Sequence, residues 1–215
     1  MRNPIKVVDE IEYWRNHIGI FDFSFYDDAL LVNPGELAIP MMKEIISRDL
    51  DCRFHCPNGL HLRYIDEEMA TLMIQAGFIT LRFGFESSDN QNQIETGGKV
   101  KNSHLEEAVF HLKAAGYQTD DIGVYLLCGI PGQTFSDVLE SILFVKRCGA
   151  KPVIAEYSPI PGTELWQASI ETSPYPIQEE PLFHNNSLLP CQNEKLTYEM
   201  YLELKSIAQE KKSKH

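Results

Sequence analysis

An α/β fold built on a parallel sheet is the architecture this sequence predicts. Three observations predict it. Short β-rich runs recur five times along the chain, a helix-like segment separates each from the next, and a glycine repeatedly closes the helix just before the following run. Strands alternating with helices read as βα units, and such units assemble a parallel sheet. The run Gly123-Val124-Tyr125-Leu126-Leu127-Cys128 is apolar throughout, as suits a strand buried on both faces.

The elements follow in order. Pro4 to His17 reads as a helix with Asn3 as N-cap, Pro4 in the first turn and Val7, Val8, Ile11 and Trp14 as its apolar stripe. Gly19 ends it, and Ile20-Phe21-Asp22-Phe23-Ser24-Phe25-Tyr26 is the first strand. A second helix is expected near Gly35 to Arg48 behind Asn33-Pro34, with Pro40 as a disturbance inside it. Cys52 to Cys56 is a short strand stopped by Pro57-Asn58-Gly59. Asp66 caps a helix to about Ala76, Gly77 ends it, and Phe78 to Glu86 is the third strand. Ser103 with Glu106 opens a helix that closes at Gly116, ahead of a strand from Ile122 to Cys128. Phe135 to Cys148 is helical, Gly149 ends it, and Val153 to Tyr157 is the last strand. The chain opens on a helix, so the sheet lacks a first strand or something precedes Met1. Beyond Thr163 the pattern decays. Glu171 to Asn193 holds four prolines and little periodicity, and Lys195 to Lys211 is an amphipathic helix whose apolar candidates include Leu196, Tyr201 and Leu204.

Composition narrows the function. Hydrophobic residues make up 43% and charged residues 23% of 215 positions, ordinary for a soluble globular chain. A formal net charge of −12 argues against nucleic acid and against anionic membrane surfaces. No run approaches the roughly 18 apolar residues of a membrane span. Met1-Arg2-Asn3-Pro4 leads into an acidic segment unlike a signal peptide, and the five cysteines are scattered, so the expected location is cytoplasmic.

In parallel α/β folds ligands bind beyond the carboxyl ends of the strands. Those ends read Tyr26-Asp27-Asp28, Cys56-Pro57-Asn58, Gly84-Phe85-Glu86-Ser87-Ser88, Gly129-Ile130-Pro131-Gly132 and Glu156 to Thr163. Carboxylates there could hold an amine or ribose hydroxyls. Gly129 and Gly132 permit a sharp turn and a close backbone approach. Thr134 with Asp137 makes a capping box, from which a cluster of free backbone N–H groups is expected.

The ordered set Phe25-Tyr26-Asp27-Asp28, Pro57-Asn58-Gly59-Leu60, Leu81-Arg82-Phe83-Gly84-Phe85-Glu86-Ser87, Gly129-Ile130-Pro131-Gly132-Gln133-Thr134 and Pro159-Ile160-Pro161-Gly162-Thr163 resembles the second to sixth strands of a radical S-adenosylmethionine (SAM) enzyme. It is most similar to the branch often found with a cobalamin-binding domain. The resemblance implies a TIM-like (β/α)6 partial barrel, here over residues 1–166 and without its first strand, followed by a C-terminal arm and helix over 167–215. It implies SAM as cofactor, a small-molecule substrate, reductive SAM cleavage at a 4Fe–4S cluster, an electron donor such as flavodoxin or ferredoxin, and cobalamin as a further cofactor of an intact form. By position, Tyr26, Asp27 and Asp28 face the methionyl amino group. Glu86 reaches the ribose or the methionyl end, with Ser87 assisting. Gly129, Ile130, Pro131 and Gly132 line the adenine, and Pro161, Gly162 and Thr163 close the last edge near the nucleoside. Lys99 approaches the carboxylate.

One element of the resemblance is missing. The family's cluster needs cysteines spaced C-x3-C-x2-C, and only Cys52 and Cys56 share even the first spacing. In an extended segment their α-carbons lie about 13 Å apart, too far to grip one cluster together. Both this gap and the absent first strand lead to the expectation of a lost N-terminus and of a cluster only where cysteines precede Met1.

Plainer readings stand beside these. Asp27-Asp28 alone reads as a solvated turn, Glu86 as a surface or cap acid, and His55 and His61 as structural. Cys128 reads as a small buried apolar residue, and Phe21, Phe23, Phe25, Phe83 and Phe85 as core. The arm Glu180 to Ser187 reads as a cover for the substrate cleft or as a disordered linker. For the whole chain the alternatives are a noncatalytic remnant lacking the cluster and an unrelated α/β-barrel binding protein; no HExxH, G-x-S-x-G or complete P-loop is present.

Overall fold

The computed structural model describes residues 2–27, 29–88 and 100–210. Its elements are α1 (Pro4–Ile18), β1 (Asp22–Ser24), α2 (Ala38–Ser47), β2 (Arg53–Leu60), α3 (Glu67–Gln75), β3 (Phe78–Glu86), α4 (Asn102–Ala115), β4 (Ile122–Cys128), α5 (Phe135–Cys148), β5 (Lys151–Glu156), α6 (Trp166–Thr172) and α7 (Tyr198–Gln209). The five strands are parallel and follow one another in the sheet in chain order, β1-β2-β3-β4-β5. This is the predicted α/β class. Among the described residues no helix is long and apolar enough to cross a membrane.

The chain divides into two compact units, Met1–Phe85 with Val100–Val124 and Cys148–Lys151, and Glu86–Lys99 with Tyr125–Arg147 and Pro152–His215. In the first unit Asn3 caps α1 by accepting hydrogen bonds from Ile5 N and Lys6 N. Pro40 does not disturb α2, because the helix starts at Ala38 and so holds Pro40 in its first turn. A first-turn N–H has no helical acceptor in any case, so its loss costs nothing there. Asp66 caps α3 through Met69 N at 2.8 Å. Gly77 then passes so close beneath the Cys52 carbonyl that a β-carbon would stand 2.3 Å from its oxygen.

β2 runs on to Leu60, through the Pro57-Asn58-Gly59 expected to stop it. Its pairing shifts register between Cys56↔Leu81 and Leu60↔Phe83, and the extra residues of this bulge include Pro57. A bulge leaves residues unpaired, so a proline without an N–H fits there.

β3 buries Leu81, Phe83 and Phe85 almost fully on one face and leaves Thr80, Arg82 and Gly84 half-buried on the other. β2 does the same with Phe54 and Cys56 against His55. Phe54 packs against Phe78, Phe23 and Phe25, with ring centroids 5.2–6.0 Å apart. Of the five phenylalanines expected in the core, Phe83 and Phe85 are fully buried, while Phe21 on the sheet's outer margin is 43% exposed.

β4 and α5 have the bounds read from the sequence. The segment after Thr163 is more ordered than expected: α6 forms there, and short 3-10 turns cover Pro181–His184 and Asn186–Leu188. Thr197 caps α7 through Met200 N. That helix is tied down by Tyr201 and Lys205, which both hydrogen-bond to Glu156 of β5, and by Lys146, which donates to the carbonyls of Ile207 and Glu210. Tyr201, read as an apolar candidate, thus has a polar role as well.

Candidate functional site

In the first unit the end of β1 leaves Tyr26 72% exposed, with its carbonyl accepting a hydrogen bond from Asn58 Nδ2 at 2.9 Å. Asp27 is exposed, and its Oδ1 accepts from Ala29 N at 2.8 Å, which makes a local Asx turn. Asp28 lies outside the described residues.

The half-buried face of β1–β3 carries a polar row. Asp22 of β1 receives Arg53 Nε at 2.7 Å and stands 3.3 Å from His55 Nε2. His55 Nδ1 in turn meets Thr80 Oγ1 at 2.9 Å. The hydrogen bonds from Arg53 first, and from His55 second, hold the Asp22 carboxyl down to about 2. His55 is therefore structural in the sense expected, bridging two strands. Arg82 follows Thr80 on the same face of β3.

In the second unit Glu86 ends β3 with φ +70, in the left-handed region that a non-glycine residue rarely enters. Such strain costs on the order of 1–3 kcal/mol and gathers at functional sites. Ser87 is 1% exposed, and its Oγ lies 3.5 Å from Ser141 Oγ of α5. Ser141 also accepts from Ser88 N at 3.0 Å and itself donates to the Asp137 carbonyl at 2.9 Å. Two helix turns and a strand end are thereby locked through one hydroxyl. Nothing in a mid-helix serine announces this in the sequence. Lys99 lies outside the described residues.

The turn after β4 differs from its expected chemistry. Gln133 is 4% exposed and folds its amide back under the turn. Its Oε1 accepts from Gly129 N at 2.7 Å and Ile130 N at 3.4 Å, and its Nε2 donates to the Leu127 carbonyl at 3.0 Å. Thr134 N donates to Asp137 Oδ2 at 2.8 Å, Asp137 N to Thr134 Oγ1 at 3.3 Å, and Phe135 N to the Lys195 carbonyl at 3.0 Å. The capping box is present, and of the N–H groups expected to be free there those of Gly129, Ile130, Thr134 and Asp137 are taken by side chains and that of Phe135 by the Lys195 carbonyl. What the turn offers is an apolar edge: Ile130 is 5% exposed and Pro131 half-buried, while Gly132 is exposed with open space where a side chain would be.

Beyond β5, Pro161, Gly162 and Thr163 are all exposed, and Gly162 also faces open space. Thr163 Oγ1 closes the loop on the Ile160 carbonyl at 2.8 Å. Cys191 of the arm joins Ile130 and Tyr157 in a buried apolar cluster. Ser173 Oγ donates to the Pro190 carbonyl at 2.7 Å, and His184 Nε2 lies 2.6 Å from the Ile177 carbonyl. The arm is folded onto the ends of β4 and β5 and is no loose linker. Within this unit Glu86 is the last residue of β3, Ser87 follows it, Gly129–Gly132 follow β4 directly, and Pro161–Thr163 come five residues beyond the end of β5. Gln133, Ser141 and Leu189 are the supporting residues that the reading missed.

No family model matches the chain. The cytidylyl-2-hydroxyethylphosphonate methyltransferase of Streptomyces wedmorensis is 27% identical over 174 residues, 79% of this chain and 32% of the relative. The radical S-adenosylmethionine methyltransferase TsrM of Kitasatospora setae, solved with its tryptophan substrate and aza-SAM, superposes with a TM-score of 0.67 at 22% identity over 80% of this chain and 33% of that one. The same enzyme with cobalamin and a 4Fe–4S cluster gives 0.66 at 21% identity, over 82% and 33% of the two chains. This is the radical SAM fold. Coproporphyrinogen III oxidase of Escherichia coli, a radical SAM enzyme, shares it at a TM-score of 0.52 and 13% identity, over 78% of this chain and 41% of its own. The chain spans about a third of the length of the two methyltransferases.

The chain's cysteines do not fit the cluster that this fold often carries. Cys52 and Cys56 are buried just before and within β2, Cys128 in β4 and Cys191 in the arm, and among the described residues no three His, Cys, Asp or Glu could hold one metal. Burial pushes the Cys56 and Cys128 thiols up to about 12, away from the thiolate that a metal requires. Cys128 is the small buried apolar residue expected from its place in β4.

Proposed function

We propose that this chain is the SAM-binding core of a radical SAM enzyme acting on a small-molecule substrate. Glu86 carries the reading: an acid held at φ +70 where β3 ends is a carboxylate fixed in position at a backbone cost, as a ligand-holding group would be. Glu86 binds the ribose hydroxyls or the methionyl end, and Ser87 supports it through Ser141. The apolar edge of Gly129, Ile130, Pro131 and Gly132 takes the adenine, and Pro161, Gly162 and Thr163 flank the nucleoside. Tyr26 and Asp27, with Asp28, face the methionyl amino group, and Lys99 its carboxylate. The arm covers the substrate.

Bound SAM supplies a 5′-deoxyadenosyl group once an electron reaches it. The chain's part is to orient the nucleoside and exclude water. A 4Fe–4S cluster enters the proposal only with cysteines from outside residues 1–215, and an electron donor and cobalamin only with that longer form. The domain division at about residue 166 is part of the same reading.

The scattered cysteines favour a second reading for residues 1–215 taken alone, namely a nucleoside-binding module without radical chemistry of its own. Calorimetric titration with S-adenosylhomocysteine tests the first element of both. Saturable binding that E86Q weakens about tenfold supports the site, in line with loss of a charged hydrogen bond. No binding, or equal binding by E86Q, overturns it. Both readings expect no cluster on residues 1–215; anaerobic iron–sulfur reconstitution of a form that supplies upstream cysteines separates them, since a cluster absorbance with SAM cleavage there supports the first and its absence the second.

A further inference from the structure

The polar row on the half-buried face of β1–β3 is unevenly compensated. Arg53 has its carboxylate in Asp22, and His55 has one partner on each ring nitrogen. Arg82 has neither kind of partner. Its guanidinium makes one hydrogen bond, from Nη1 to the carbonyl of its own neighbour Leu81 at 2.9 Å, and forms no ion pair among the described residues. Among the described residues four of its five N–H donors are left without a protein acceptor.

Two glycines flank Arg82, Gly123 on β4 and Gly84 on β3. Its stem lies along Gly123 of β4, where an added β-carbon would stand 2.6 Å from Arg82 Cδ, 2.7 Å from Nη1 and 2.8 Å from Nε. Any residue but glycine at 123 would push the guanidinium off the sheet. Gly84, next along the same face of β3, has open space above it. The charge is set down on bare backbone by a glycine. A half-buried cation loses part of its hydration, and an anion beside it offsets that loss. Arginine is the side chain whose planar fork binds carboxylates and phosphates through paired N–H groups.

We propose that Arg82, seated on Gly123, binds an anionic group of the substrate, a carboxylate or a phosphate or phosphonate. Describing that anion as part of a substrate rests on the radical SAM reading above; the anion site itself does not. The side chains already paired in the row, Asp22, Arg53, His55 and Thr80, hold the sheet face rigid beside it.

The test titrates the 215-residue chain with inorganic phosphate and, separately, with acetate, and follows the backbone amides of Thr80, Arg82, Gly84 and Gly123 by NMR. Saturable shifts confined to these residues in either series are expected, and the tighter series identifies the class of anion. R82Q should weaken that binding about tenfold or more, as loss of a charged, bidentate contact predicts. R82K, which keeps the charge and serves if R82Q does not fold, should weaken it by less. Shifts that rise linearly without saturating, or variants that bind as the wild type does, overturn the proposal. A parallel titration with S-adenosylhomocysteine separates the two ideas. Nucleoside binding without anion binding sinks only the Arg82 site, and anion binding without nucleoside binding sinks only the radical SAM reading.

Discussion

Leu189 sits on Gly129. A β-carbon at Gly129 would stand 2.7 Å from Leu189 Cδ1 and 3.4 Å from Cγ. Leu189 is itself 1% exposed and holds φ +50, so a buried leucine accepts an unfavourable backbone to reach the turn after β4. The contact fastens the C-terminal arm to the turn proposed to meet the adenine. It also gives that glycine a second reason to be glycine, besides its own φ of +92.

G129A should therefore be costly twice, through a left-handed alanine and through the clash. Together these amount to about 3 kcal/mol, or roughly 6–12 °C in melting temperature for a chain of this size. L189A removes the clash but not the backbone strain. In a double-mutant cycle followed by thermal unfolding, G129A/L189A should lose less than the sum of the two single variants. Strict additivity would mean that the two residues do not touch.

Gln133 should be harder to replace than a turn glutamine usually is. Q133L strips acceptors from two backbone N–H groups and a donor from the Leu127 carbonyl, all at a buried site. Leaving such groups unpaired costs about 2–4 kcal/mol in all. Hydrogen exchange at the Gly129 amide reads the effect directly. Its protection should fall in Q133L by more than the global loss of stability explains, and unchanged protection would contradict the bond.

How far the sequence could be read depended on whether a residue's neighbours were local. β3, β4 and α5 have the bounds expected, since alternation and capping act within a few residues. The same holds for the Asn3 and Asp66 caps. Pro57 misled because its tolerance in β2 depends on a bulge set by pairing with β3. Pro40 misled by three residues, because the helix start was placed at Gly35 and not at Ala38. At the site, the strand-end positions of Glu86 and Gly129–Gly132 were legible from order along the chain. The φ of Glu86, the inward fold of Gln133 and the reach of Leu189 across sixty residues were not, because each is decided by tertiary contacts.

Acid should unlock the strand row at its Asp22 corner. The folded-state pKa of Asp22 is about 2, below its ordinary value, so its contribution is fully present above the ordinary value and is lost as pH falls toward 2. The window therefore runs from about pH 4, the ordinary aspartate value, down to the folded value. Urea unfolding between those limits should show the wild type converging on D22N, with the two furthest apart at neutral pH. A constant gap between them across this range would show that Asp22 does not titrate in the folded state as its pairing with Arg53 requires.

Glu86 couples stability to binding in opposite senses, and two substitutions separate them. E86A and E86G both delete the carboxylate, so both should weaken S-adenosylhomocysteine binding alike if the carboxylate holds the nucleoside. They differ in backbone. Alanine keeps the strain of φ +70, while glycine adopts that conformation freely, so E86G should be more stable than E86A by about 1 kcal/mol, a separation of roughly 2–4 °C in melting temperature. Equal melting temperatures would mean that the end of β3 relaxes once the carboxylate is gone, and the strain would then be a property of the glutamate's own contacts. Equal binding by the wild type and both variants would return Glu86 to the plainer reading of a surface acid at a strand end.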